Sequence, residues 1–520
     1  MVGFRAGVTA FRQDYQASTP EGSEEWESWD GRRARYALYW GMFENNAYDA
    51  VRRWATKYKS DYGLYKYTRN IYNPAYRLAQ FHRSHVWGGA LHPDAAAEGA
   101  LPIVTENEDL RMAIATLWQA SNWSTNKDTV PLWGATMGDA VLRVIDDAER
   151  GRVYLKLTHP GTLKDVTVDP FGNVKAYELQ EERAHPERPK TTVVYTERAS
   201  RDGENVVYET FLDGKPYAWG AEASWEEPYG FVPMVLLQHN NVGLPWGWAE
   251  LHPCLSKARE VDDIASKTSD QIRKMVDAPW LLGGVTPPPS KPVATGAAAT
   301  TTDTQPGRQE IPMLYGSVGA SATPLVAPLD LAATLKHIES ISAEIEKEYP
   351  ELRYDLGKAR GEVSGRALRI ARQDVETKMQ ERRGVYDNVL VRAQQMAIAI
   401  GGMRNYPGYE SFSLESYAAG DLEHKIGERP VFSDDPLDRL EIEEALWRAA
   451  SAAGDNGVSL KFFLKRQGWS DTDIDEVMQS DEYRARQAVR ALGMVQPRRQ
   501  IGDGGAQTDP EPPADGEDQQ

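Results

Sequence analysis

The chain has 520 residues, a formal charge of −18 and a single cysteine, Cys254. With 41% hydrophobic and 26% charged residues it has the composition of a globular protein of roughly two to four domains, which excludes wholesale disorder. One cysteine excludes an intrachain disulfide, and no apolar run approaches the ~18 residues that span a bilayer. The acidic balance weighs against a protein that grips nucleic acid tightly, because phosphate binding rests on Lys and Arg displacing counterions. It leaves open a surface past which a duplex slides, since an acidic wall repels phosphate.

In chain order, residues 1–19 lack the charged-then-apolar order of a signal peptide, so the expected site is the cytoplasm or a particle assembled there. Residues 21–58 are aromatic-rich and helical in pattern. Asn73-Pro74 opens a helix, an Asn cap followed by Pro at the first position, with Leu78, Phe81, His85 and Val86 inward and Gly88-Gly89 at its end. His82 and His85 stand three apart, a spacing a metal can use. No Glu or further His lies nearby in sequence, so packed or surface roles are expected and no metal is assigned. A third helix spans Glu108 to Ala120, and another ends at Gly138, where a strand begins. From 152 to 237 the alternation is that of strands, with turns at Asp169-Pro170, Gly172-Asn173 and Asp213-Gly214. The hairpins are too short for βαβ crossovers, which predicts one mostly antiparallel sheet.

Leu251, Leu255, Ala258, Val261, Ala265, Thr268, Ile272 and Met275 stripe the next helix, opened by Pro253. Residues 278–327 are dominated by Pro, Gly, Ala, Thr and Ser and predict an irregular excursion. Leu331, Leu335, Ile338, Ile341, Ile345 and Tyr349 stripe a second helix, closed by Pro350. A third stripe runs from Leu368 through Ala371, Val375, Met379, Tyr386, Leu390, Ala393 and Ala397 to Ile400. It predicts a helix on the order of 50 to 60 Å long, apolar on one face only, with Gly401-Gly402 as its cap. After Asp434-Asp435-Pro436 come shorter helices, at Ser459–Gln467 and Ser470–Met478 among others. From Asp503 onward the chain is Gly, Pro, Gln and acid, the composition of a disordered tail.

No phosphate-binding loop, His-Glu-x-x-His, Cys-x-x-Cys, EF-hand or Gly-x-Ser-x-Gly motif occurs, so no catalytic residue and no cofactor is assigned. The order helix, irregular excursion, helix, short loop, very long helix resembles that of bacteriophage portal proteins, over roughly residues 60–490. Three stretches carry the likeness: Gly134-Ala-Thr-Met-Gly-Asp-Ala-Val-Leu-Arg-Val144, Phe231-Val-Pro-Met-Val-Leu-Leu-Gln-His-Asn-Asn241, and Gly361-Glu-Val-Ser-Gly-Arg-Ala-Leu-Arg369.

The resemblance implies an α+β subunit. Its expected parts are a wing (1–253), a first stem helix (254–277), a clip (278–327) and a second stem helix (328–349). A tunnel loop (350–364), a long wing helix with its return (365–435), a helical crown (436–500) and a disordered acidic tail (501–520) follow. It further implies a non-enzymatic, twelve-subunit ring at the capsid vertex of a virion, assembled in the host cytoplasm, through which double-stranded DNA passes. The implied partners are the terminase large subunit, a head-completion adaptor, the major capsid protein and scaffold, with no membrane. In the tunnel loop, Arg353, Lys358 and Arg360 supply positive charge for transient phosphate contact or for bridging neighbouring subunits. On the second stem helix, Glu339, Glu344, Glu346 and Glu348 either line an acidic duct or form an ordinary solvated face. Two rival readings are another capsid-associated structural or adaptor protein, and a multidomain carbohydrate-active enzyme suggested by the 15 tryptophans.

Overall fold

The computed structural model describes residues 28–48, 68–69, 71–87, 101–276, 280–283, 313–316, 330–353, 365–429, 431–432, 444–450, 452, 459–466 and 471–479. It is a mixed helix-and-sheet, α+β chain. Contacts divide it into two units, Met1–Ser433 and Asp434–Gln520.

In the first unit, local capping chemistry sets where the early helices begin. Helix α1 (Trp29–Phe43) starts at Ser28, whose hydroxyl accepts from the Gly31 N–H at 3.1 Å. Helix α2 (Pro74–His85) starts at Asn73, as the sequence pattern predicts, and the Asn73 side chain accepts from Tyr76 N–H at 3.0 Å. Helix α3 (Glu108–Ala120) spans the expected residues and is capped by Asn107. After a turn of helix, α4 (Trp123–Asn126), comes α5 (Thr129–Met137). It ends at Gly138, whose φ of +95° begins strand β2 (Asp139–Asp147). A side chain at Gly138 would also lie 2.5 Å from the Gly247 carbonyl oxygen, so close backbone approach requires glycine there as well.

Two sheets stand where the hairpin pattern predicts one. β3 (Arg152–Thr158) and β10 (Met234–Gln238) flank β2, both antiparallel, with Met234 opposite Arg143 and Leu155 opposite Val144. The second sheet holds β4 (Leu163–Val168), β5 (Val174–Ala184), β6 (Thr192–Asp202), β7 (Asn205–Leu212) and β8 (Lys215–Pro216). β9 (Ser224–Glu227) pairs with β7. The sequence misleads because β10 bypasses the strands just before it and pairs with one far upstream, and side-chain alternation carries no record of partner choice.

Helix α6 (Leu255–Val276) buries Leu255, Ala258 and Val261 and also Asp262, Asp263 and Ser266. The polar set holds Thr68, Ile71 and Tyr72: Asp262 accepts from the N–H groups of Ile71 and Tyr72, both at 2.8 Å, and Asp263 accepts from the Thr68 hydroxyl at 2.9 Å. Cys254, just before α6, is fully buried. Helix α7 (Leu331–Glu348), capped by Asp330, runs antiparallel to α6, since Lys257 at the start of one pairs with Glu348 at the end of the other. Within the intervening stretch, β11 (Trp280–Gly283) and β12 (Met313–Gly316) form a parallel pair, so the excursion expected to be irregular contains a regular ladder. The remaining residues of 278–327 lie outside the described residues.

Pro350 closes α7 as expected and then opens a new turn of helix, α8 (Pro350–Arg353), so the stretch expected as a loop from 350 begins helical. Helix α9 (Gly365–Met403) has 39 residues and packs across β10, β2 and β3. Val375, Met379, Tyr386, Leu390, Ala393, Ala397 and Ile400 are buried, as their spacing predicts.

Two expectations for this helix are corrected. Met396, Ile398 and Ala399 are buried too, so its C-terminal end is an interior helix covered on all sides rather than a strut striped on one face. Gly401 and Gly402 do not cap it. They lie inside the helix, where a Cβ would meet the Tyr409 ring at 2.7 Å and the Phe412 carbonyl oxygen at 2.2 Å. The left-handed residue is Asn405 (φ +54°), with Tyr406 N–H donating to Gly401 O and Asn405 N–H to Gly402 O, both at 2.9 Å. These are the two bonds of a Schellman ending. The return carries α10 (Leu414–Ala419) and β13 (Lys425–Ile426), which pairs with β1 (Ile103–Val104).

The second unit contains the helical residues 444–450 together with α11 (Leu460–Arg466) and α12 (Asp471–Gln479). Leu464 and Ile474 are buried, and Lys461 pairs with Asp475 at 3.0 Å. Ser470, where the last of these helices is expected to begin, and the tail from 503 lie outside the described residues.

Candidate functional site

Glu339, Glu344 and Glu348 are exposed on α7, and Glu346 is half-buried. At 3.6 residues per turn, Glu339 and Glu346 share one side of the helix and Glu344 and Glu348 nearly the opposite side, so the four do not form one lining. Glu344 accepts from Lys347 at 2.5 Å, which holds its carboxyl below the usual carboxylate range. Glu348 pairs with Lys257 of α6. Arg353 ends α8, with its side chain outside the described residues; Lys358 and Arg360 lie outside them altogether.

Just upstream of that stretch lies a buried polar junction that sequence spacing does not reveal. Five segments meet there: α2 with His82, the end of β10 with His239 and Asn240, Glu250 before α6, α8 with Glu351, and α9 with Lys378, Arg382 and Tyr386. Lys378 Nζ bridges Glu250 Oε1 at 2.7 Å and Glu351 Oε1 at 2.6 Å. Arg382 donates to the His239 carbonyl at 3.0 Å and to Asn240 Oδ1, and lies 3.4 Å from Glu250 Oε2. Tyr349 OH donates to the Glu250 carbonyl at 2.8 Å, and Arg77 of α2 donates to the Leu352 carbonyl at 3.2 Å.

Two carboxylates facing two fixed cations balance the charge, which burial demands. Burial favours the neutral acid at Glu250 and Glu351. It is outweighed at Glu250 by the His239 hydrogen bond with help from His82 and Lys378, and at Glu351 by His82 and Lys378, so both stay ionised. Burial, with Arg382 nearby, pushes His239 down to about 3, so its ring is neutral. Its Nε2–H then donates to Glu250 Oε2 at 2.7 Å, and its Nδ1 accepts from Tyr386 OH at 2.8 Å.

The histidine pair of α2 separates. His85 stacks on Phe81 at 4.0 Å between centroids, whereas His82, fully buried, enters the junction and meets the His239 ring at 4.9 Å. The premise that no Glu or further His lies near His82 holds along the chain and fails in space.

A second polar cluster lines a cavity of about 300 Å³ between the two sheets and the end of α9. There Glu197 accepts from Tyr177 and Tyr195, both at 2.6 Å, and pairs with Arg143. Asp146 accepts from Tyr406 at 2.6 Å and from Arg404 at 2.8 Å. The named groups satisfy one another, an arrangement that braces the sheets. No family model matches the chain, and no curated protein matches it. Among the described residues, no helix is long and apolar enough to cross a membrane.

Proposed function

We propose that the chain is a portal-type subunit of a tailed bacteriophage, forming a ring at the capsid vertex through which double-stranded DNA is packaged and ejected. One observation carries this reading. The antiparallel helices α6 and α7 flank in sequence an excursion containing a parallel strand pair, and α7 leads through one turn of helix towards a 39-residue helix lying on a sheet. In this reading the sheets and α9 are the wing, α6 and α7 the stem, 278–327 the clip, 354–364 the tunnel loop, and the second unit the crown. The exposure of α7, whose only buried described residue is Ile345, supports it, because such a helix has faces left for neighbouring subunits. The ring docks terminase and later the head-completion adaptor, and catalyses nothing itself.

The test is the mass of the purified full chain by light scattering, followed by imaging of the same sample. A particle of several hundred kilodaltons, on the order of twelve chains of 58.1 kDa, with a central hole is expected. A 58.1 kDa monomer that persists when scaffold is co-expressed would overturn the proposal.

A further inference from the structure

The geometry points to a divalent transition-metal site in the buried junction, formed by His82 Nε2, His239 Nε2 and Glu250 Oε2. Among the described residues, these three present donor atoms within 4.8 Å of one another. Acids and histidines often cluster without a metal, so the independent evidence is the state of His82. Its side chain is 0% exposed, and neither ring nitrogen has a hydrogen-bond partner. A buried polar atom left unpaired is costly, and neutral imidazole is the commonest protein ligand for such metals.

Its Nε2 faces Glu250 Oε2 at 3.6 Å and Glu351 Oε1 at 3.7 Å. Those separations are too long for hydrogen bonds. They are close to the ~3.3 Å between two ligands on one tetrahedral ion with bonds of about 2.0–2.1 Å.

The surroundings suit a nitrogen-rich site. On binding, His239 would give up its Nε2 proton, and its Nδ1–H would donate to Tyr386 OH, already 2.8 Å away. That is the outer partner a ligating histidine needs. Lys378 engages the other Glu250 oxygen, Oε1, so it does not compete for the ligating atom. Glu351, whose Oε2 is buried without a partner, borders the fourth position. Lys378 is also 19% exposed, which marks the way in from solvent. Two histidines with a carboxylate favour zinc-like ions over calcium or magnesium, which take oxygen ligands. Lys378 and Arg382 oppose a second cation, so the site is tuned to be weak, and removing one of those charges should strengthen it.

The experiment titrates Co2+ into the untagged, chelator-treated full chain and follows its visible absorption, with Zn2+ as competitor and metal content measured after dialysis. One Co2+ per chain, displaced by Zn2+ and lost in His82→Ala and in His82→Ala/His239→Ala, is the expected result. Lys378→Met should bind more tightly, by about tenfold or more. This gain does not depend on whether the alanine variants fold. The proposal is overturned if neither the wild-type chain nor Lys378→Met holds more metal than the double alanine variant. It is equally overturned if Lys378→Met weakens binding. The outcome is independent of ring formation.

Discussion

Asp262 illustrates what one buried group imposes on its surroundings. Burial raises its carboxyl to about 6, against the pull of the N–H groups of Tyr72 and Ile71 that it accepts. The raised value fixes the sign. Below about pH 4 the carboxyl is protonated in both folded and unfolded chains. As pH rises from about 4 to about 6 the unfolded chain ionises first, and the folded state loses up to about 3 kcal/mol from this group. Asp262→Asn keeps an acceptor without the charge, so its stability should not fall through that window and should equal or exceed wild type at pH 7. Asp262→Ala strands the two N–H groups and should lose about 1–3 kcal/mol. Urea unfolding at pH 4.5 and 7 compares the three, and equal losses in Asn and Ala would refute the assignment.

Gly402 gives a second test. The Phe412 carbonyl oxygen, 2.2 Å from a new Cβ, is backbone and cannot rotate away. Gly402→Ala should therefore lower the thermal midpoint despite alanine's better helix propensity, at a cost of about 1–3 kcal/mol. At this scale the sequence is informative where the chemistry is local. Asn73 and Gly138 announce their caps. It is silent on His82, because the residues that surround it come from four other stretches.

Among elements, α9 is two helices in one. From Arg372 to about residue 390 it buries one face, and from Ala393 to Gly401 nearly everything is covered. Periodicity finds the first part and its length. It cannot find the second, because an all-round apolar run and a one-sided stripe share the same spaced residues until the covering partners are known. Periodicity also finds α6 and α7 as helices, but not which face is covered, since Ile272 and Leu335 of the predicted stripes are exposed and Asp262, Asp263 and Ser266 are buried.

Lys378 and Glu351 close the chain on itself around the segment that holds Lys358 and Arg360, so that segment leaves from and returns to a fixed base. Changes confined to it should spare assembly. Under the proposed portal function, Lys358→Ala with Arg360→Ala should form rings normally and package or retain less DNA, measured as packaged genome per particle. Normal packaging by that variant would remove these side chains from the mechanism.

For the molecule as a whole, the order of elements carries more information than any single residue. The mixed helix-and-sheet composition, the helix pair around an excursion and the 39-residue helix were legible in outline from that order. The split into two sheets and the buried junction were not, since both depend on contacts between stretches far apart in the chain.

The position of α9 over the three-stranded sheet has a consequence for synthesis. β10, which completes that sheet, ends at Gln238, and Leu390, deep in the covering helix, is made 152 residues later. At about 5–20 residues per second the sheet waits roughly 8 to 30 s at the ribosome with its apolar face bare. A nascent chain of this design therefore depends on something else to shield that face, or on reaching its own residue 400 before meeting another copy in the same condition.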